Sequence, residues 1–209
     1  FEKNTEEYAK ISVLPSLYDA NNLSGTNPSN IRSNSQKYPC DNNDGPAWWA
    51  FYNTSSTKVW HSRWGGSADK VGGVENIEST ASGANGGLST PIWVEVRFPD
   101  GEEISRITVE RSQADNYTAP KDYQILVANT DGVAKDDDFV VTASGTFTFS
   151  TEKSDTTDTV KTIDLPKTVK ATHIRLKILS GTRITHGYIH SGQPSVANIA
   201  LYTKTVDID

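Results

Sequence analysis

The chain has a single cysteine, Cys40, and no methionine. One thiol cannot close an intramolecular disulfide or build a multi-cysteine zinc site, so a disulfide-stapled scaffold is excluded. The lack of Met even at position 1 is expected of a domain excised or processed from something longer. No apolar run approaches the roughly 18 residues a membrane-spanning helix needs, and no basic-then-apolar leader opens the sequence. Basic residues are scattered singly, 20 Lys and Arg against 26 Asp and Glu, a formal charge of -6. That balance gives no electrostatic footprint for nucleic acid. Mean hydropathy is low, at -0.53. Yet 5 Trp, 8 Tyr and 6 Phe supply the core anchors that disordered chains lack. A length of 209 residues fits one large domain, taken as residues 1–209.

Alternation with period two marks half-buried strands, most clearly where Ile92, Val94, Val96 and Phe98 interleave with Trp93, Glu95 and Arg97. The same pattern predicts strands near 59–62, 104–111, 123–128, 146–150, 162–165, 173–179 and 197–203, about eight in all, separated by Gly, Pro, Asn and Asp clusters. Helical spacing is confined to residues 5–10. Many short strands without strand-helix alternation predict an all-β, antiparallel β-sandwich of jelly-roll type. Two segments break the rhythm and read as long loops: 65–90, rich in Gly, Ser and Asn, and 181–195, which carries Tyr188. Residues 151–159 read as a solvated hairpin end.

Catalytic signatures are missing: there is no Gly-x-Ser-x-Gly elbow, no His-Glu-x-x-His and no phosphate-cradling glycine loop. His186 and His190 are four apart, but Gly187, Gly192 and Pro194 place them in a loop and not on one helix face. The chain therefore reads as noncatalytic. Two constellations suggest binding. Val59-Trp60-His61-Ser62-Arg63-Trp64 sets two indoles, an imidazole and a guanidinium where a strand enters a Gly-rich loop. Period two sends Trp60 inward and leaves His61 and Trp64 nearer the surface, with a hydrogen-bonded structural histidine beside a packing indole as the alternative. Arg111 closes a strand, and Asn116 follows in the next turn. Arg, His and Asn make directed hydrogen bonds to hydroxyls, while an aromatic face packs on the C–H side of a pyranose, so this is a sugar-binding set.

Trp60-His61-Ser62, Pro91-Ile92-Trp93-Val94-Glu95-Val96, Arg111 with Asn116, Lys121-Asp122-Tyr123-Gln124-Ile125 and Ser195-Val196-Ala197-Asn198-Ile199 occur in the order found in discoidin-type (factor 5/8 C-terminal) domains. The chain resembles these, and specifically the family-32 carbohydrate-binding modules, over about residues 40–202. The resemblance implies a module for terminal galactose or N-acetylgalactosamine, attached to a larger secreted or surface-bound bacterial glycosidase or adhesin. It implies that His61 and Arg111 bind an axial hydroxyl, Asn116 a neighbouring one, and that Trp64 stacks on the ring. Asp41 or Asp44 stands where an upstream acidic ligand belongs, and Tyr188 would wall the site. Such modules often hold a structural calcium, but Asn53, Lys58 and Asn198 occupy its ligand positions here. No cofactor is expected, with calcium absent or weakly held. The 65–90 segment would cover, extend or reshape the sugar site. The alternative reading is a discoidin-like module for protein or lipid head groups. Its loops are Ser, Asn, Gly and Asp rich, which disfavours membrane insertion. Sequons at Asn22, Asn53 and Asn116 would matter only in a eukaryotic secretory pathway.

Overall fold

The computed structural model describes residues 7–16, 18, 26–41, 43–52, 58–65, 68–81, 86–113, 118–184 and 192–205. Twelve strands follow one another: β1 Glu7–Lys10, β2 Ile31–Ser33, β3 Asp44–Gly45, β4 Val59–His61, β5 Lys70–Val71, β6 Val74–Glu75, β7 Gly87–Arg111, β8 Thr118–Pro120, β9 Asp122–Ala128, β10 Val140–Thr146, β11 Val160–Arg183 and β12 Ser195–Thr205. Between β3 and β4 lies a single 3-10 helix, Ala47–Phe51.

The long strands β7 and β11 run antiparallel and pass through both layers of a β-sandwich. Their inner halves, Ile92–Arg97 against His173–Ile178, lie between β2 on one side and β9 with β10 on the other. Their outer halves continue into a second layer, where β7 pairs with β12, and β12 in turn with β1 and β4. The corner is made at Gly101, whose φ of 77° lies where only glycine is at ease. Opposite it, the register of β11 shifts between Ala171 and His173, and it shifts again between Asp164 and Val169, around Pro166, which has no N–H for a ladder. The described strand pairings are antiparallel except β3 with β4, and an isolated bridge, Thr118 with Pro194, is also parallel.

The core lies between the layers. Val94, Val96, Ile174 and Leu176 from one sheet meet Ile107, Ile199 and Leu201 from the other, with Phe51 of the 3-10 helix beside them. Tyr18 and Tyr52 pack edge-on against Trp48, closing one end. Trp60 is 1 % exposed and its indole N–H donates to Ser35 O at 2.8 Å, as expected of a core tryptophan.

Several expectations change. Residues 7–10 form a strand on β12 instead of a helix, because pairing with Tyr202–Thr205 supplies hydrogen bonds that four residues of weak helical pattern cannot. Residues 147–150 carry no ladder although Phe147 and Phe149 are buried; the strand there is β10, which ends at Thr146. The 65–90 segment holds a hairpin. Val71 pairs with Val74 across Gly72 and Gly73, both at positive φ, the geometry a two-residue turn of this hand requires. The polar face of β7 is covered as well: Glu95 is 2 % exposed.

Candidate sugar-binding site

β4 is wedged between β12 and β3: His61 pairs with Ser195, and Trp60 pairs with both Val196 and Gly45. Beyond it the chain is held at once, since Ser62 N–H donates to Pro194 O at 3.0 Å and Arg63 N–H to Ser35 Oγ at 2.8 Å. These bonds aim Trp64 outward, where it is 40 % exposed. His61 lies deeper than alternation placed it, at 4 % exposed. Its Nδ1 is 2.7 Å from Ser62 O, and a carbonyl only accepts, so the neutral ring carries its proton on Nδ1 and presents Nε2 as an acceptor. The imidazole lies 6.5 Å from the Trp64 ring, centroid to centroid.

Asp44 joins them. As part of β3 it runs parallel to β4, and Lys37 Nζ reaches its Oδ2 at 3.4 Å. Lys37 also pairs with Asp41 and lies 4.7 Å from the centre of the Trp64 ring, covering one face of the indole. Asp41 Oδ1 accepts from the N–H groups of Asn43 and Asp44, a turn that fixes both carboxylates beside the ammonium. Desolvation acts against charge on Lys37, but its hydrogen bonds to Asp41 and the pull of both carboxylates win and raise its pKa. Burial holds the His61 imidazole below its ordinary value, with the Asp44 charge opposing. At neutral pH the mouth therefore contains one ammonium, two carboxylates and an uncharged imidazole. Cys40 adds no reactive thiolate, because burial and then Asp41 push its pKa up to about 11.

Arg111 is not the open donor fork its sequence position suggests. It is 0 % exposed. Its backbone pairs with Val196, and Nη2 donates to Asp155 O at 2.6 Å and Glu152 O at 3.0 Å. The guanidinium clamps the 151–159 loop from within, near the carboxylates of Asp155 and Asp158. Burial lowers the Arg111 pKa, and the charges of Asp155 and Asp158 offset this in part.

His61, Trp64 and Asp44 thus meet in one place with Asp41, while Arg111 lies on the other side of β12. Asn116 and Tyr188 lie outside the described residues. Lys37 was not singled out from the sequence; its i, i+4 spacing to Asp41 was the available signal. Among the described residues no cluster of His, Cys, Asp or Glu has metal-holding geometry. At the calcium positions, Asn198 Oδ1 is buried without a partner, Lys58 Nζ lies 5.7 Å from the Trp49 ring, and Asn53 lies outside the described residues. An amide oxygen and an ammonium do not make the carboxylate-bearing oxygen shell that calcium takes, so these residues do not fit the ion.

No family model and no curated protein matches the chain. Solved structures do. The family 32 module of Clostridium perfringens NanJ, in complex with galactose, matches with a TM-score of 0.53 and 18% identity over 83% of this chain and 92% of its own. The CBM32-5 module of CpGH89 from Clostridium perfringens, in complex with GalNAc-β-1,3-galactose, gives 0.54 and 17% over 83% and 94%. The CBM32-1 and CBM32-2 domains of Clostridium perfringens ZmpB, in complex with GalNAc, give 0.51 and 14% over 94% of this chain and 39% of theirs. The chain has the fold of the family-32 carbohydrate-binding modules.

Proposed function

We propose that this chain is a noncatalytic carbohydrate-binding module for terminal galactose-type sugars, galactose or N-acetylgalactosamine, carried by a larger secreted or surface-exposed bacterial glycosidase or adhesin. The observation that carries the reading is the exposed Trp64 indole beside His61 and Asp44, on a fold shared with modules bound to those sugars. Lys37 occupies one face of the indole, so the sugar's C–H face packs on the other. Asp44 and His61 are proposed as the hydrogen-bonding groups for sugar hydroxyls at the same mouth. Asn116 and Tyr188 are proposed as further contacts from neighbouring loops. Arg111 has its Nη2 donors committed to loop carbonyls and is proposed to shape the wall from behind. The two carboxylates against one ammonium favour a neutral sugar over an acidic one.

A shallow mouth with few polar ligands binds weakly, on the order of 0.1 to 1 mM, or about -4 to -5.5 kcal/mol. Titration of galactose and N-acetylgalactosamine against the labelled chain is expected to shift the Trp64 indole N–H resonance saturably. Trp64→Ala is expected to abolish binding while the remaining spectrum stays that of a folded chain. No shift with any galactoside, or unchanged affinity in Trp64→Ala, would rule the reading out.

A further inference from the structure

A second cleft, of about 340 Å³, opens on the polar face of the sheet formed by β2, β7 and β11. It shares no lining residue with the Trp64 mouth. Its floor is Arg32, Trp93 and Arg175; its walls are the β5–β6 hairpin, at Gly73 to Glu75, and the 134–136 turn. The volume is that of a small ligand site.

The floor is built around Glu95. Register puts Arg32 and Arg175 on either side of it, on β2 and β11. Glu95 accepts from Arg32 Nε at 2.7 Å and Nη2 at 2.9 Å, and from Arg175 Nε at 2.9 Å. Arg175 is also sandwiched between aromatic rings, 3.7 Å from Trp93 and 3.9 Å from Phe139, and its Nη1 donates to Asp136 at 2.7 Å. These contacts use Nε and one amino group of Arg175 and leave Nη2 without a partner among the described residues. Arg32 spends its Nη2 on Glu95 and on Ala134 O at 3.1 Å, leaving Nη1 unused. Neither unused group is among the atoms sealed from solvent, although the Arg175 side chain is only 6% exposed.

Two guanidinium groups therefore share one buried carboxylate. Asp136 faces them from the rim with its side chain 83% exposed, and Glu75 on the hairpin lies 4.0 Å from Lys70. Glu95 beneath the two guanidinium groups and Asp136 and Glu75 on the walls offset their charge, so what the floor offers a ligand is fixed N–H donors and not an excess of charge. Rigid guanidinium N–H groups with no partner, in a recess beside an indole, are a receptor for a carboxylate. Their orientation is fixed before any ligand arrives, so little side-chain entropy is lost on binding.

We infer that this cleft is a second glycan site, which takes an acidic sugar residue through its carboxylate, held by Arg32 and Arg175, with the Trp93 indole edge beside the ring. The inference does not depend on the galactose reading, because the Trp64 mouth is built from none of the same residues. It also gives the 65–90 segment a role, since its hairpin forms one wall.

The test titrates galacturonic acid and glucuronic acid into the labelled chain, with galactose and sodium sulfate as comparison probes, and follows the Trp93 indole and Arg175 Nε–H resonances. Both uronic acids are expected to shift them saturably, in the millimolar range, at least tenfold more tightly than galactose or sulfate. Val74→Trp, which fills the cleft from the hairpin, and Val74→Glu, which adds a repelling carboxylate, are each expected to weaken uronate binding at least tenfold with an unchanged melting temperature. Trp64→Ala is expected to leave it intact. Absence of these shifts at tens of millimolar uronate, affinity for sulfate or galactose equal to that for uronate, or tight binding retained in whichever Val74 variant folds, overturns the proposal.

Discussion

Arg111→Ala separates a ligand from a clamp. The guanidinium is fully buried and donates two short bonds from Nη2 to carbonyls of the 151–159 loop. A charged donor on a neutral acceptor contributes about 1.5 to 3 kcal/mol net. Two such bonds give about 3 to 6 kcal/mol, but three effects reduce the loss. Glu152 is exposed, so water can reach its carbonyl after truncation. Removing the cation also relieves the cost of holding it out of water, and Nε is buried without a partner in the native chain. A net destabilisation of about 2 to 4 kcal/mol remains. For a domain of this size each kcal/mol lowers the melting temperature by about 2–4 °C. Thermal unfolding followed by circular dichroism is expected to show a fall of roughly 5 to 15 °C. Arg111→Lys, which keeps charge but loses the planar fork, is expected to fall between wild type and Ala. Galactoside titration well below the transition is expected to show binding retained within a few-fold. A melting temperature unchanged in Arg111→Ala together with abolished galactoside binding would refute this reasoning and return Arg111 to the sugar.

Trp60→Ala removes a core indole and its bond to Ser35 O, and is expected to cost about 3 to 5 kcal/mol of folding free energy; an unchanged urea midpoint would show that the site collapses around the gap. Burial holds the imidazoles of His61 and His173 below their ordinary value of 6.5, with Asp44 opposing at the first and Glu95 at the second. The unfolded chain then binds more protons, so stability is full above pH about 6.5 and falls as pH drops through that value toward the folded pKa values. Urea midpoints between about pH 8 and about pH 5 are expected to decline, less steeply in His61→Gln and His173→Gln, and a flat profile over that window would refute it.

The sandwich was legible because period-two burial is written locally. Ile92, Val94, Val96 and Phe98 alternate on one strand, and Tyr123, Ile125 and Val127 on another, so each strand announces its inner face without reference to a partner. β10 was missed for the converse reason: Val140–Thr146 is an edge strand with little buried surface and carries almost no alternation. Phe147 and Phe149 alternate correctly and are buried, but burial does not require a ladder. The Val71-Gly72-Gly73-Val74 turn was readable and hidden only by the surrounding Ser and Asn. Charged residues were the hard part. Arg111 meets its acceptors 41 and 44 residues away, and Glu95 meets Arg32 and Arg175 at separations of 63 and 80. A single sequence carries no sign of such partners, so both residues read as surface. His61 and Trp64 could be read together because they stand three residues apart in sequence, and their rings lie 6.5 Å apart in space.

Residues 31–44 connect the two proposed sites and explain how both fit on a small sheet edge. Arg32 and Asn34 line the cleft, while Lys37, Asp41 and Asp44 build the Trp64 mouth. Between them Gln36 is paired with Asn76 of the 65–90 segment: its N–H donates to Asn76 Oδ1 at 3.0 Å, and Asn76 Nδ2 returns a bond to Gln36 O at 3.0 Å. Asn76 also binds Ala68 O at 2.7 Å and, through its own carbonyl, the Arg63 guanidinium that precedes Trp64. One amide, 1 % exposed, thus fixes the strap between the sites, the hairpin that walls the cleft and the exit of β4. The segment that interrupts the sandwich rhythm is therefore fastened to the sheet edge by specific hydrogen bonds. Because the strap carries Arg32 at one end and Lys37, Asp41 and Asp44 at the other, a change in how Asn76 holds it is expected to move both proposed sites together.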